Sequence, residues 1–262
     1  MTWNKEEVNE MQTQKIRKNH MDILWHEYTD KGGEETPVTQ ASLTEKASIV
    51  GRVGIMLLSC GTGAWRVRSS MNALAEEMGM KVIFCTPTAT PPAWLTEKYP
   101  EVLNANMDGV LYRHGARRHY NYNSPKYQEL TRIIVEKSAS HYAKHPAIIG
   151  WQIDNELNCE KDVFYSESDT IAFRKFLEKK YETIDALNAA WGTNFWNQTY
   201  NSFEEVYVPR TTLSNSTNPH EVLDYTRFVS DSACRFAKMQ SDIIRKYIKP
   251  GDFITTNGLF GN

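Results

Sequence analysis

The chain has 262 residues, 40% of them hydrophobic and 24% charged, with a net charge of −2, which is typical of a globular protein. The balanced charge argues against nucleic-acid and membrane partners, and no apolar run reaches the ~18 residues that cross a bilayer. The N-terminus lacks a signal-peptide pattern, and the four cysteines are scattered without a CxxC pair, so a cytoplasmic protein without a zinc site or disulfide framework is expected.

The first third of the chain predicts few elements. Residues 5–29 are compatible with a charged helix, and residues 30–50, rich in Gly, Thr and Ser, predict a loop. Residues 53–59 (VGIMLLS) are a candidate strand. From residue 70 the pattern sharpens, with a short helix over 72–80 and a buried strand over 81–85.

The remaining chain alternates helices and short apolar strands. Strands are predicted at 148–153 and 253–256, and helices begin at Ser124-Pro125, near Ser168, and at Asn218-Pro219, where Pro250-Gly251 should stop the last one. This βα rhythm indicates a parallel sheet, in a barrel or a doubly wound fold. No glycine-rich phosphate loop follows any strand, so a nucleotide-binding fold has little support.

A polar triplet follows one of these strands. Asp154, Asn155 and Glu156 come directly after the apolar run 148–153, at the strand end where barrel enzymes carry their catalytic groups. A carboxyl group there, beside an aromatic side chain such as Trp151 or Trp196, would lose solvent, and desolvation favours the protonated form that a general acid needs. The alternative is that Asp154 and Glu156 simply cap the next helix.

Two further segments could contribute to a site. Three prolines between residues 87 and 92 predict a rigid loop after the strand at 81–85, in which Trp94 is interpreted as a core anchor. Arg117 and Arg118 stand beside His119 and Tyr120, where two guanidinium groups could bind a carboxylate, a phosphate or sugar hydroxyls. Taken alone, this run favours a solvated basic turn over a binding site.

Four segments together resemble a known family. TPTATPPAWLTEKYPEVL, GARRHYNYNSPKY, HPAIIGWQIDNE and ALNAAWGTNFWNQTY, in this order and spacing over residues 72–258, are similar to the barrel domain of family 42 glycoside hydrolases. These are retaining β-galactosidases. The resemblance implies an α/β fold, a (β/α)₈ barrel. Since only three strands and one candidate are found, about half of the barrel is expected, with residues 71–262 as its first part, truncated before the nucleophile.

The resemblance also implies roles for individual residues. Glu156 corresponds to the general acid/base, and Asn155 to the residue that binds the galactose hydroxyl next to the anomeric carbon. Arg117 corresponds to an arginine that binds the same sugar, and Trp196 to the tryptophan that walls the subsite. The implied substrate is a galactoside or oligosaccharide with a terminal β-D-galactosyl residue, and the implied assembly is a homotrimer.

The sequence departs from the family in three ways. The family's nucleophile is a glutamate at the end of a later strand, and no residue here matches it, so the chain alone is expected to be inactive. Residues 1–70 match the family poorly and are interpreted as a divergent N-terminal segment. Some members bind zinc, but Asn121 replaces one ligand and only Cys159 lies near the others, so no metal and no cofactor is predicted.

Two other functions remain open on the sequence. One is a retaining glycosidase on the same barrel with a different sugar preference. The other is a non-catalytic, truncated carbohydrate-binding remnant, which the missing nucleophile would favour.

Overall fold

A computed structural model of the chain describes residues 55–57, 72–115, 118–214 and 216–258, with the backbone alone for 55–57. The predicted helix at 5–29 and loop at 30–50 lie outside these residues, as does almost all of the divergent segment 1–70. Within the described part the chain builds a parallel β-sheet with helices in the connections between strands.

The sheet contains four strands in the order of the chain, each parallel to its neighbour. They are β1 (Ile55–Leu57), β2 (Val82–Cys85), β3 (Ile148–Gln152) and β4 (Phe253–Thr255). All four predicted strands, including the candidate at 53–59, are therefore confirmed within a few residues. Four consecutive parallel strands of this topology are half of an eight-stranded barrel.

Helices occupy the connections. They are α1 (Ala93–Lys98), α2 (Pro125–Tyr142), α3 (Glu167–Tyr181), α4 (Ile184–Trp191) and α5 (Pro219–Ile244), and residues 72–77 are helical before β2. Short 3₁₀ turns lie at Pro100–Val102, Phe195–Asn197 and Phe203–Glu205. Among the residues described, none of the helices combines the length and the apolarity required to cross a bilayer.

Side-chain caps explain where the three long helices begin. The Ser124 side chain accepts a hydrogen bond from the Tyr127 amide at 3.3 Å, and Asn218 accepts one from the His220 amide at 3.0 Å. Ser166 and Asp169 form a reciprocal capping box at the start of α3. The polar residue before a helix satisfies amides that have no partner inside it, so these starts are readable from sequence.

The end of α5 differs from the prediction. The helix stops at Ile244, six residues before Pro250, and the chain continues in turns in which the Ile248 amide bonds to the Ile244 carbonyl at 3.2 Å. Lys249 then donates to the carbonyls of His145 (2.9 Å) and Ile148 (2.5 Å). The segment is held against the start of β3, and this tertiary contact ends the helix before the proline does.

The main core lies between the sheet and helices α2 and α5. Phe84 of β2 and Trp151 of β3 are fully buried, with ring centroids 4.7 Å apart, and Phe84 also contacts Tyr142 of α2. Trp94, by contrast, is 51% exposed, so the interpretation of this residue as a core anchor is wrong. It lies in the short helix α1, where Leu95 instead of Trp94 points into the core.

A glycine permits the close approach of β4 to β3. A side chain at Gly150 would place its first carbon 2.5 Å from the ring of Phe253, which is well inside van der Waals contact. The ring of Phe253 therefore lies across the β3 backbone, with 42% of its surface exposed. Any larger residue at position 150 would force the ring of Phe253 to move away from β3.

Asp224 of α5 joins three helices. It is buried, and four side chains donate hydrogen bonds to it: Lys180, Tyr181, Trp191 and Arg227. Burial by itself would raise the pKa of the carboxyl, but these donors outweigh it and lower the pKa. Asp224 is therefore ionised at neutral pH and bridges α3, α4 and α5.

Replacing Asp224 by alanine should destabilise the chain by about 3 kcal/mol, at the low end of the cost of removing one partner from a buried ion pair. The low end applies because the cations Lys180 and Arg227 both reach solvent, whereas the buried indole N–H of Trp191 does not. Urea unfolding measures this. Asp231→Ala, which breaks an exposed pair on the same helix, serves as the control and should change little.

Glu221, in the first turn of α5, should make stability depend on pH. Burial raises its pKa from 4.5 to about 7. Between these values the folded state binds more protons than the unfolded state, so the free energy of unfolding falls as pH rises, by at most about 3 kcal/mol. Urea unfolding of Glu221→Gln should show a shallower fall between pH 4.5 and 7. An unchanged slope, or the same flattening in the exposed control Glu178→Gln, would contradict this.

Candidate functional site

The candidate site lies at the carboxyl edge of the sheet. Residues that directly follow β2, β3 and β4 come together there, as parallel strands require, and Glu156 lies at this edge, as predicted. The next helix after β3 is α3, which begins at Glu167 and is capped by Ser166. Asp154 and Glu156 therefore do not cap a helix, and that alternative is excluded.

Asp154 faces inward and anchors the site. Its buried carboxylate accepts hydrogen bonds from Thr88 at 2.5 Å and Tyr120 at 2.6 Å, while its amide donates to Thr86 at 2.8 Å. Burial raises its pKa, although these donors and the charge of Arg118 oppose the shift. Asp154 thus links the end of β3 to the loop after β2 through hydrogen bonds. Its role is structural, because its carboxylate does not face solvent.

Asn155 and Glu156 are more accessible than Asp154, and both bond to Asn257, the second residue after β4. The Glu156 amide donates to Asn257 Oδ1 at 3.0 Å, and Asn257 Nδ2 donates to Asn155 Oδ1 at 3.1 Å. Glu156 is partly buried, and one of its carboxyl oxygens is shielded from solvent. The structure therefore brings Asn155 and Glu156 together with a residue that the sequence analysis did not identify.

Backbone strain is concentrated in the same segment. Asp154, Glu156 and Asn158 have φ values of 52°, 47° and 64°, the left-handed region that side chains other than glycine disfavour. The cost is roughly 1–2 kcal/mol for a residue such as Glu156, and less for Asp154 and Asn158, whose short polar side chains can hydrogen-bond locally. The surrounding hydrogen bonds must supply this free energy, and strained backbone of this kind is common at functional sites.

Arg118 is not in a solvated turn, contrary to the simpler interpretation of the arginine run. Arg118 is 5% exposed, and its guanidinium donates to the Asn155 carbonyl and the Tyr122 hydroxyl and pairs with Glu160 at 2.8 Å. Burial works against the cation, but neighbouring tyrosine and carboxylate groups raise its pKa, so it stays charged. Arg117 lies outside the described residues, and its sugar-binding role stays a prediction.

Trp196 lies in the 3₁₀ turn after α4 and is 71% exposed. Its ring stacks on Phe195, with centroids 5.2 Å apart and planes 10° from parallel. An exposed pair of aromatic rings can stack on a sugar. The convergence of Trp196 with Glu156 and Arg117 on one concave site stays a prediction.

Asn121, at the position where some family members place a zinc ligand, forms hydrogen bonds within the protein. Its Nδ2 donates to Ser166 Oγ and to Asp169 Oδ2, both at 2.6 Å, and its Oδ1 accepts from the Asn123 amide at 2.7 Å. Within residues 72–115, 118–214 and 216–258, no three His, Cys, Asp or Glu side chains are grouped as metal ligands would be.

Comparison with known proteins identifies relatives of this arrangement. The family model of glycoside hydrolase family 42, described as β-galactosidase, matches residues 61–261. The β-galactosidase of Thermus thermophilus is 47% identical over 185 residues, which are 70% of this chain and 28% of that protein. The β-galactosidase Bga of Halorubrum lacusprofundi is 42% identical over 185 residues, covering 70% of this chain and 26% of that protein.

Solved structures give the same result for the fold. The β-galactosidase from Marinomonas ef1 superposes with a TM-score of 0.74 at 36% sequence identity, over 84% of this chain and 35% of that one. The chain therefore has the fold of part of the catalytic barrel of these enzymes. It spans about a third or less of the length of the relatives it matches.

Proposed function

Because the chain belongs to family 42 of the glycoside hydrolases, we propose that it carries the acid/base half of a β-galactosidase site. The activity is cleavage of terminal β-D-galactosyl residues from galactosides, with retention of configuration. The observation that carries the proposal is the segment Asp154-Asn155-Glu156, which places an accessible amide and a partly shielded carboxyl side by side at the carboxyl edge of a parallel sheet.

In this mechanism Glu156 acts twice. It first protonates the glycosidic oxygen of the leaving group, and later accepts a proton from the water that releases galactose. Between the two steps a second carboxylate holds the sugar covalently, and in retaining enzymes the two carboxyl groups lie about 5–5.5 Å apart. We match no residue of this chain to that nucleophile. Asn155 and Arg117 would bind the sugar hydroxyls, and Trp196 would wall the subsite.

The three residues of the triplet differ in burial and charge, and these differences support the assignment. The carboxylate of Asp154 is buried and already accepts hydrogen bonds from Thr88 and Tyr120, so a substrate does not reach it. Asn155 is neutral, and therefore binds a hydroxyl without placing a charge beside the acid. Of the two carboxyl groups in the triplet, both next to the amide of Asn155, Glu156 carries the more accessible one.

The test is a hybrid polypeptide in which this chain is followed by the part of the Thermus thermophilus β-galactosidase that lies after the matched region. We expect it to hydrolyse p-nitrophenyl β-galactoside, to release β-galactose first as judged by NMR, and to form a homotrimer in light scattering. Faster hydrolysis of another p-nitrophenyl glycoside would favour a different sugar preference. A folded hybrid that binds galactosides without hydrolysing them would favour a carbohydrate-binding remnant.

A further inference from the structure

Asn257 follows β4, about a hundred residues after the triplet that it contacts. We propose that Asn257 is a positioning residue, which fixes the Asn155 side-chain amide and the peptide group between Asn155 and Glu156 in the orientation that sugar binding requires. The relevance of Asn257 to catalysis rests on the function proposed above, whereas its effect on the geometry of Asn155 and Glu156 is independent of that function.

The Asn257 side chain makes three hydrogen bonds with different parts of β3 and its end. Its Oδ1 accepts from the Glu156 amide and from Gln152 Nε2, both at 3.0 Å. Its Nδ2 donates to Asn155 Oδ1 at 3.1 Å. Because the carbonyl oxygen of the Asn155 side chain is engaged, its NH₂ group remains to donate to the oxygen of a sugar hydroxyl.

One peptide group is held on both sides. The carbonyl of Asn155 accepts from Arg118, and the amide of the same peptide group, that of Glu156, donates to Asn257. This peptide group leads into Glu156, whose φ of 47° is disfavoured for a residue with a side chain. Arg118 and Asn257 therefore hold this peptide group from opposite sides and stabilise the disfavoured backbone conformation of Glu156. The direction in which the Glu156 carboxyl group points depends on this conformation.

Two substitutions separate the acceptor from the donor. Asn257→Ala removes both groups, whereas Asn257→Asp keeps oxygens for the Glu156 amide but cannot donate to Asn155. In the ¹⁵N-labelled 262-residue chain, Asn257→Ala should accelerate hydrogen exchange of the Glu156 amide roughly 3- to 10-fold, the effect of one lost hydrogen bond. Asn257→Asp should preserve that protection but shift the Asn155 side-chain NH₂ resonances. Asn201→Ala, at an exposed asparagine, is the matched control and should change neither.

Titration with isopropyl β-D-thiogalactoside adds a readout that depends on function. Both Asn257 variants should bind it roughly 3- to 10-fold more weakly than the wild-type chain, at a temperature at which all three chains are folded. The positioning role is overturned if Asn257→Ala leaves the Glu156 exchange rate unchanged. If Asn257→Ala does not fold, unchanged Asn155 resonances in Asn257→Asp overturn it instead. A wild-type chain that does not bind the thiogalactoside counts against the proposed function, and the exchange data still decide the role of Asn257.

Discussion

Glu156→Gln in the hybrid enzyme is expected to lower kcat/KM for lactose by roughly 10²–10⁴-fold, the usual contribution of a general acid. Glutamine keeps the size and polarity of the side chain but has no proton to give at the required acidity. The loss should be much smaller for 2,4-dinitrophenyl β-galactoside, whose leaving group departs without protonation. This dependence on the leaving group distinguishes loss of the acid from loss of folding or of sugar binding.

The second half of the reaction gives an independent check. Water needs Glu156 as a base to release galactose, whereas azide is a nucleophile that needs none. Azide should therefore accelerate turnover of the activated substrate by the Glu156→Ala variant, with β-galactosyl azide as the product, and leave the wild-type rate nearly unchanged. Equal losses for lactose and the dinitrophenyl galactoside, without an azide effect, would show that Glu156 is not the acid/base.

The 262-residue chain tested alone is expected not to hydrolyse β-galactosides at a rate useful to a cell. General acid catalysis supplies only ~10²–10⁴-fold of enzymatic accelerations that are typically 10⁶–10¹⁷-fold. The remainder depends on the nucleophile that forms the covalent intermediate, for which this chain has no counterpart that we can match. The hybrid polypeptide, which contains a nucleophile, should be active under the same conditions.

An activated aryl β-galactoside is the most sensitive substrate for this comparison, because it barely needs the acid. The chain must be prepared from a host that lacks β-galactosidase of its own. Robust turnover of the activated substrate by the chain alone, together with lactose turnover that Glu156→Gln abolishes, would show that a nucleophile is present in it. Lactose turnover that survives this substitution undiminished would instead indicate contaminating enzyme.

The elements that sequence predicts best here are those with a local physical cause. Buried parallel strands are short apolar runs, which is why β2, β3 and β4 could be located. The capping residues Ser124 and Asn218 likewise mark the starts of α2 and α5 in the sequence. The short helix α1 was missed because three prolines precede it, although proline is favoured at a helix start. The end of α5 depends on the contact of Lys249 with β3, which no local pattern contains.

Prediction of the site residues has the same limit, because contacts between distant parts of the chain leave no local pattern in the sequence. Glu156 could be placed because it follows an apolar strand, and this placement is confirmed. The structural role of Arg118 could not be identified from the sequence, since its partners Asn155 and Glu160 lie about 40 residues away in the chain. Asn257 did carry a usable signal, because it too follows a predicted strand. Its three partners, however, lie 101, 102 and 105 residues earlier, so its role becomes visible only in the folded chain.

The order of strands in the sheet has a consequence for biosynthesis. Among the four described strands, β2, β3 and β4 each pair with the strand that precedes them in the chain, so each meets an edge that has already been translated. These three strands need no later neighbour before they are hydrogen-bonded on one side, and the sheet can grow unit by unit as domains do during synthesis. The last of the four, β4, brings Asn257 with it, so the contact proposed to position Glu156 forms only when this unit docks.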